Sequence, residues 1–517
     1  MTLSRARTNA VVVVIALAAV ALWAALSPPG ANDVQGGDEG YYGTMARNIL
    51  ADARYLVSPA LTPLGPPGDK PPVYPALLAI AVRLFGPTSA ALRWPSLLLS
   101  GLIVVAAARL AAAAAGGAGA IAAAAFLSTL PSFAYSARVA AAEIPLAAFG
   151  MGALALLAGG QPSPRRAVAA GALIGLAFLC KLWLAALVAL PAAALVVPGA
   201  PGAPKGEARR ALLALAAGGL AVGALHLVAV AMLAPGHLAH WIDVYFRFSL
   251  ASRVEGAGFA PDWIKPPAYY PLLLGHAFIA LLPLVAIGAW DAARRLREPA
   301  PRAILVGALG FAPLSLFGVK SGIYMVPVMP VWAALAALGL VAIASAGSSD
   351  GAHLAPTAAR AAPGPAPLRR PAVPRIAVAY AALAALAGLA REVQLLPLRY
   401  HDPGFRAVAV ALAPLLRDAP IERVSYVTPE APAFAYYLFR TGRYWGTPLS
   451  PWSEETWAAI AADTSLRAFV VDPAQRFYGA SLDPAALAWL ERDTREITSE
   501  IERAAGRRLE VRVFVRR

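Results

Sequence analysis

The chain is short of most things that soluble enzymes use. Its single cysteine, Cys180, excludes an internal disulfide and any cysteine-based metal cluster. Cys180 sits among apolar neighbours, as a packed residue would. The six histidines are scattered, with no HExxH-type ligand pair. There is no P-loop and no strand–GxGxxG–helix unit, so nucleotide chemistry has no anchor. Charged residues make up only 14% of the chain, against about 25% in a soluble domain. The sequence after the first apolar run, SPPGAND, lacks a small-x-small cleavage site, so that run reads as an uncleaved anchor and not a signal peptide.

What remains is apolar. The 517 residues are 59% hydrophobic, with mean hydropathy +0.62. Runs of about 20 residues indicate a polytopic α-helical membrane protein. The runs do not alternate, which argues against a barrel. They lie near 9–27, 90–112, 117–134, 144–160, 166–180, 182–198, 211–234, 271–290, 303–318, 323–346 and 375–395, about eleven transmembrane helices. Residues 71–86 are apolar but short, headed by proline and interrupted by Arg83, and read as an interfacial helix.

The net charge of +15 does not indicate nucleic acid. With a cytoplasmic N-terminus, the basic residues collect in four cytoplasmic loops: Arg165 and Arg166; Lys205, Arg209 and Arg210; Arg294, Arg295, Arg297 and Arg302; and Arg360, Arg369, Arg370 and Arg375. This is the positive-inside pattern. It places loops 28–89, 135–143 and 235–270 on the outer face, with the turn 319–322. Residues 347–374, rich in Pro, Ala, Gly and Ser, read as a flexible cytoplasmic linker within a membrane domain 1–395. Beyond it, 396–517 reads as a small extracytoplasmic α/β domain. RVSYVTP (423–429), LRAFVVDP (466–473) and LEVRVFVRR (509–517) are its strand candidates. Asp402-Pro403 and Asp483-Pro484 each look like a helix N-cap followed by an N1 proline. Stabilisation is one role for this domain, and solute recognition or docking is the other.

The outer loops carry the chemistry-bearing residues. In GGDEGYYGTMARNIL (36–50), Tyr42, Met45, Ala46, Ile49 and Leu50 form one apolar stripe of an interfacial helix. Asp38 heads that helix, where it either caps free N–H groups or acts as a surface acid. Glu39 is redundant for capping. Lys70 precedes two prolines that stiffen the backbone, and Asp69 precedes Lys70. A rigidly held cation here suits a lipid-linked phosphate or simply lipid headgroups. Glu143 heads a span, and a carboxylate at a membrane boundary is a functional candidate, with an Arg138–Glu143 surface pair as the plainer alternative. Arg247, Arg253 and Lys265 stand among the aromatics of 237–271, and Lys320 and Tyr324 at an outer helix end.

These clusters, in this order, resemble the GT-C fold glycosyltransferases that use lipid-phosphate sugars, most of all the bacterial branch of protein mannosyltransferase-like and lipid A aminoarabinose transferases. Asp38, Glu39, Tyr42, Ala46 and Arg47 match its DE-x-x-Y-x-x-x-A-R pattern, and Lys70-Pro71-Pro72 its KPP turn. Arg138 to Pro145 match its second outer loop, with Glu143 where aspartate is usual. Lys320, Tyr324, Pro327 and Pro330 match its K-x-x-x-Y-x-x-P-x-x-P run. The resemblance covers about residues 9–346.

It implies a bacterial inner-membrane enzyme. Such an enzyme moves a sugar from a polyprenyl-phosphate donor, with inversion, to lipid A, another glycolipid, a cell-wall glycan or a protein hydroxyl. Asp38, with Glu39 and Glu143, is the expected catalytic set. Asp38 serves there as general base or as stabiliser of oxocarbenium charge. Lys70, Arg253, Lys320 and Tyr324 are the expected phosphate ligands. Asp69, Arg138 and Tyr42 support the acceptor side. Asp38, Asp69 and Glu143 are also the expected ligands if Mg²⁺ or Mn²⁺ binds. The rival readings are a transporter or lipid flippase, which usually shows internal repeats and mid-bilayer charges, and a scaffold displaying the C-terminal domain. The sequence names neither the sugar, the acceptor nor the oligomeric state.

Overall fold

The structure is a computed structural model. It describes residues 4–34, 38–57, 70–159, 163–197, 205–243, 245, 265–318, 320–346, 372–399, 404–421, 423–428, 431–440, 442–444, 454–472 and 484–517. Asp69, Arg247, Arg253, Asp402-Pro403 and most of the linker 347–374 lie outside these residues.

The membrane part begins with α1 (Arg5–Leu26), whose N-terminus is capped by the Ser4 side chain accepting from the Arg7 N–H. α4 (Ser89–Ser128) is capped by Thr88, and α7 (Pro164–Lys181) by Ser163, with Pro164 in its first turn. These are the hydroxyl and proline preferences of helix starts. Six described helices are long and apolar enough to cross a membrane, or seven if the pair Tyr269–Ala277 and Ile279–Arg294, bent by 75°, forms one broken span. The expected count of about eleven is larger because the two longest helical stretches each hold two expected spans, and because the expected spans 144–160 and 303–318 fall on the shorter helices Glu143–Leu157, Pro299–Ala308 and Phe311–Ser315. α4 is broken at Ala115 and Gly116, where Gly116 takes φ 67°. The stretch Pro164–Val196 is interrupted after Lys181, where Leu182 has φ 49°, and resumes as α8 (Ala186–Val196).

Glycines show which way these pieces run. Gly171 of α7 meets Leu215 and Gly219 of α9 (Lys205–Leu233), and Gly175 meets Gly219 and Val222. The contacts advance together along both helices, so α7 and α9 are parallel. α8 must therefore return between them, and Lys181 lies at a reversal of the chain.

Two helices are too short to span. α2 (Asp38–Ala51) and α3 (Val73–Phe85) have 14 and 13 residues, roughly 20 Å each against a hydrocarbon core of about 30 Å. They pack on each other, with Tyr42 and Tyr74 in edge contact at 5.0 Å. The buried face of α2 includes Tyr42, Met45 and Ala46, as its periodicity predicts. Leu50 departs from that stripe and is 43% exposed, while Asn48 is fully buried.

The C-terminal residues form a five-stranded sheet in the order β2-β1-β3-β5-β4. The strands are β1 (Tyr426–Thr428), β2 (Gly442–Tyr444), β3 (Ala468–Val471), β4 (Thr494–Glu496) and β5 (Arg512–Arg516). β1 pairs in parallel with β2 and β3, and β5 antiparallel with β3 and β4. A helix does begin at Pro484, and Asp483, its expected N-cap, lies outside the described residues. The helix expected from Asp402-Pro403 instead starts at Phe405, after Gly404 at φ 85°. Helix Ala431–Leu438 docks this sheet onto α2. Gly40 lies against the backbone of Pro432 and Ala433, Thr44 donates to the Pro432 carbonyl at 3.3 Å, and Arg47 donates to the Tyr437 carbonyl at 3.0 Å.

Candidate active site at the head of α2

Asp38, Lys70 and Glu143, far apart in sequence, converge on one cluster, and a fourth residue completes it. Asp38 stands in the first turn of α2, Glu143 in the first turn of α6 (Glu143–Leu157). Both therefore gain from the positive end of a helix. Lys70 precedes the Pro71-Pro72 turn into α3. Lys181 ends α7, where the turn at Leu182 breaks the helix.

The Lys70 ammonium is 3.5 Å from Asp38 Oδ1. The Lys181 ammonium is 3.4 Å from Asp38 Oδ2 and 3.1 Å from Glu143 Oε1. Cations and anions thus alternate in the order Lys70, Asp38, Lys181, Glu143. Tyrosine rings line the cations. Lys70 is 5.8 Å and 5.9 Å from the centroids of Tyr41 and Tyr42, and Lys181 is 5.9 Å and 5.7 Å from Tyr42 and Tyr324, within cation–π range. Tyr42 is fully buried, and its hydroxyl has no hydrogen-bond partner.

Solvent reaches the cluster through Asp38. Its side chain is 47% accessible, whereas Glu143 is fully buried. The crowded setting of Asp38 works against ionisation, but Lys70 and Lys181 outweigh it and hold the carboxyl well below the usual carboxylate range. Burial pushes the Tyr42 phenol up, only partly offset by the same lysines.

The other expected site residues are placed differently. Glu39 is buried, and both its oxygens are engaged. Arg93 Nε donates to Oε1 at 2.9 Å and Nη2 to Oε2 at 2.8 Å, while the Ala140 N–H donates to Oε1 at 3.1 Å. Arg93 also donates to the carbonyls of Pro29, Asn32 and Asp33. This planar fork ties the chain before α2, α2 itself, α4 and the Ala140 turn together. The structure therefore corrects the grouping of Glu39 with Asp38, because its carboxylate faces a structural arginine.

Arg138 forms no pair with Glu143. It is buried against Glu392, in the helix Ala372–Arg399. Lys320 is buried too, but its ammonium donates to the carbonyls of Lys265 (2.7 Å) and Phe317, and burial lowers its pKa. Of the expected phosphate ligands, Lys70 and Tyr324 border Asp38 and Lys181, and Lys320 is held by backbone.

Of the three expected metal ligands, Asp69 lies outside the described residues, and Asp38 and Glu143 share the Lys181 ammonium. Among the described residues, no three of His, Cys, Asp and Glu are grouped to hold one. The space between Asp38 and Glu143 belongs to the Lys181 ammonium, which would repel a metal ion.

Lys181 escaped the sequence reading. Its signal was there, a lone cation dividing the apolar stretches 166–180 and 182–198, where ionisable residues mark function by default. Arg93, inside the expected span 90–112, carried the same signal.

A bundle of this kind, with short surface helices carrying the acid and a small α/β unit at the same end, is the GT-C fold of membrane glycosyltransferases, and the chain is a multi-pass membrane protein of that fold. Residues 69–230 match the family model of dolichyl-phosphate-mannose-protein mannosyltransferases. Among solved structures the chain is similar to ArnT from Cupriavidus metallidurans bound to undecaprenyl phosphate, with TM-score 0.66 and 20% identity over 97% of each chain. It is also similar to the Archaeoglobus fulgidus oligosaccharyltransferase in the apo form, with TM-score 0.56 and 16% identity over 91% of this chain and 70% of that one. Another structure of that oligosaccharyltransferase is a complex with Zn and sulfate. No curated protein sequence matches the chain.

Proposed function

We propose that the protein is an integral-membrane glycosyltransferase that takes a sugar from a polyprenyl-phosphate donor and passes it to an acceptor hydroxyl on the extracytoplasmic face of a bacterial inner membrane. The observation that carries this reading is the accessible Asp38 carboxylate held between Lys70 and Lys181 at the head of a surface helix. The undecaprenyl phosphate bound in the ArnT structure and the match to a dolichyl-phosphate-mannose family support the donor class. Residues 1–395 would form the catalytic membrane part, and 396–517 the outer unit that braces α2.

The chemistry follows from the cluster. Asp38 takes the proton of the acceptor hydroxyl as its oxygen bonds to the anomeric carbon. The bond from that carbon to the phosphate oxygen breaks, and its electron pair leaves with the polyprenyl phosphate. One such displacement inverts the anomeric centre. The departing phosphate is already a stable anion and needs no strong acid. Lys70 and Lys181 offset its charge, with Tyr324 beside them.

Donor binding also conditions the base. In the resting cluster two ammonium groups make Asp38 a weak base. A phosphate arriving between them draws their charge away from Asp38 and raises its basicity, so proton abstraction waits for the donor. Glu143 keeps Lys181 in place, and Glu39 keeps α2 on Arg93.

Purified protein in liposomes, given a polyprenyl-phosphate donor with a radiolabelled sugar and a cell-envelope extract, tests this reading. Label in a new covalent product supports it. Label that only crosses into the lumen, with no new product, overturns it in favour of a transporter or flippase.

A further inference from the structure

One buried polar side chain near the cluster has no part in the account so far. Asn48 is completely buried, and neither its Oδ1 nor its Nδ2 has a hydrogen-bond partner. It lies on the same stripe of α2 as Asp38, Tyr41 and Met45, spaced three and four residues apart. A buried amide with both atoms unmatched is costly, and a leucine of similar size would avoid the cost. The amide opens onto a small recess of about 10 Å³, walled by Met45, Tyr55, Trp241 and Lys70. Trp241 cannot serve the amide, because its indole N–H is given to the Val57 carbonyl at 2.8 Å.

The recess selects its occupant by size and hydrogen bonding. It admits one group of about the size of a water oxygen. A phosphate oxygen only accepts, and would leave Asn48 Oδ1 facing another acceptor. An ammonium only donates, and would leave Nδ2 unmatched. A hydroxyl both accepts and donates, so it satisfies Nδ2–H and Oδ1 together and can accept from Lys70 as well.

We propose that Asn48 binds a ring hydroxyl of the donor sugar, in the recess beside the lysine that meets the donor phosphate. This rests on the glycosyltransferase reading and adds the residue that tells one donor sugar from another. A site built to hydrogen-bond a hydroxyl rejects analogues lacking it, because its own polar atoms are then stranded. Asn48 stands ten residues, about 15 Å, from Asp38 along α2, so it confers specificity on a ring hydroxyl remote from the anomeric carbon.

The test uses the full-length protein with synthetic polyprenyl-phosphate mannose and arabinose, each beside its singly deoxygenated counterparts. Wild type is expected to lose roughly 10²-fold in kcat/KM for one deoxy donor relative to its parent. Asn48→Leu is expected to lose about the same with the parent and to treat the two donors alike. Asn48→Ala, which leaves the space open, serves if the leucine variant does not fold. The inference is overturned if the variants keep the wild-type ratio for every donor pair, or match wild type on the parent donors. Either outcome means that the recess holds water only. If wild type transfers sugar neither from these donors nor from the polyprenyl-phosphate sugars of a cell-envelope extract, the glycosyltransferase reading fails as well. If wild type transfers and the variants discriminate as it does, only the role of Asn48 fails.

Discussion

Removing the Lys181 ammonium while keeping the volume of its stem, as in Lys181→Met, should strand a buried charge. Two carboxylates share this cation, but not equally. Asp38 is 47% accessible and keeps Lys70. Glu143 is fully buried, and Lys181 at 3.1 Å is its ion-pair partner. The cost therefore falls on Glu143. Breaking a buried pair by deleting one member costs about 3–5 kcal/mol, because the remaining charge is neither solvated nor compensated. The second change, Glu143→Gln, removes that charge and should recover more than half of the loss. It should not restore transfer, since Asp38 would still lack one of its two cations. The single cysteine supplies the assay. Cys180 is buried next to Lys181, so a thiol-reactive fluorogenic dye labels it only when this part of the bundle opens. The midpoint of labelling on heating should fall steeply in Lys181→Met and return most of the way in the double variant. A single variant that melts like wild type would refute the buried pair. A double variant that melts like the single one would show that Glu143 is not the group left stranded.

Other outcomes follow from the same geometry. Lys70→Met removes one of the cations that depress Asp38, so the acid limb of kcat/KM should move to higher pH. Asp38 stabilises the fold above its unfolded pKa, and that contribution is lost as pH falls through the lower folded value, so the variant should also become acid-labile at a higher pH. Paired pH–rate and pH–stability profiles check both shifts. Arg93→Met leaves the buried Glu39 charge without its guanidinium and should cost about 3–5 kcal/mol in denaturant unfolding, and Glu39→Gln, which turns an amide N–H toward the Arg93 Nη2 donor and strands the buried guanidinium charge, should cost a similar amount in the same assay. Gly40→Val places a Cβ 2.6 Å from the Ala433 nitrogen and 2.7 Å from the Pro432 carbonyl carbon. Backbone cannot yield there, so limited proteolysis should release the C-terminal sheet faster than in wild type.

Much of the site was legible because its parts carry local signals. An acid at the head of an amphipathic helix, a lysine before two prolines and a carboxylate opening a span each announce themselves within a few residues. The three strand candidates of the C-terminal part likewise became β1, β3 and β5, being apolar runs next to turn residues. The short β2 and β4 have three residues each and no such pattern. Pairings across the chain were not legible. Glu39 looked like a companion of Asp38 because the two are adjacent, yet successive helical residues point about 100° apart, and its partner Arg93 comes from α4. Arg138 looked like the partner of Glu143 and instead meets Glu392, far along the chain. Lys181 was hidden by the reading of apolar runs as spans, which treats a residue between two runs as a mere connection.

The central claim is that Asp38 is the base that activates the acceptor, and one substitution addresses it. Asp38→Asn keeps the shape of the side chain but removes the charge that takes the proton. With a labelled polyprenyl-phosphate donor and a competent acceptor, single-turnover transfer by this variant should be abolished, while Cys180 stays protected and the donor still binds. Transfer at the wild-type rate by folded Asp38→Asn would contradict the account.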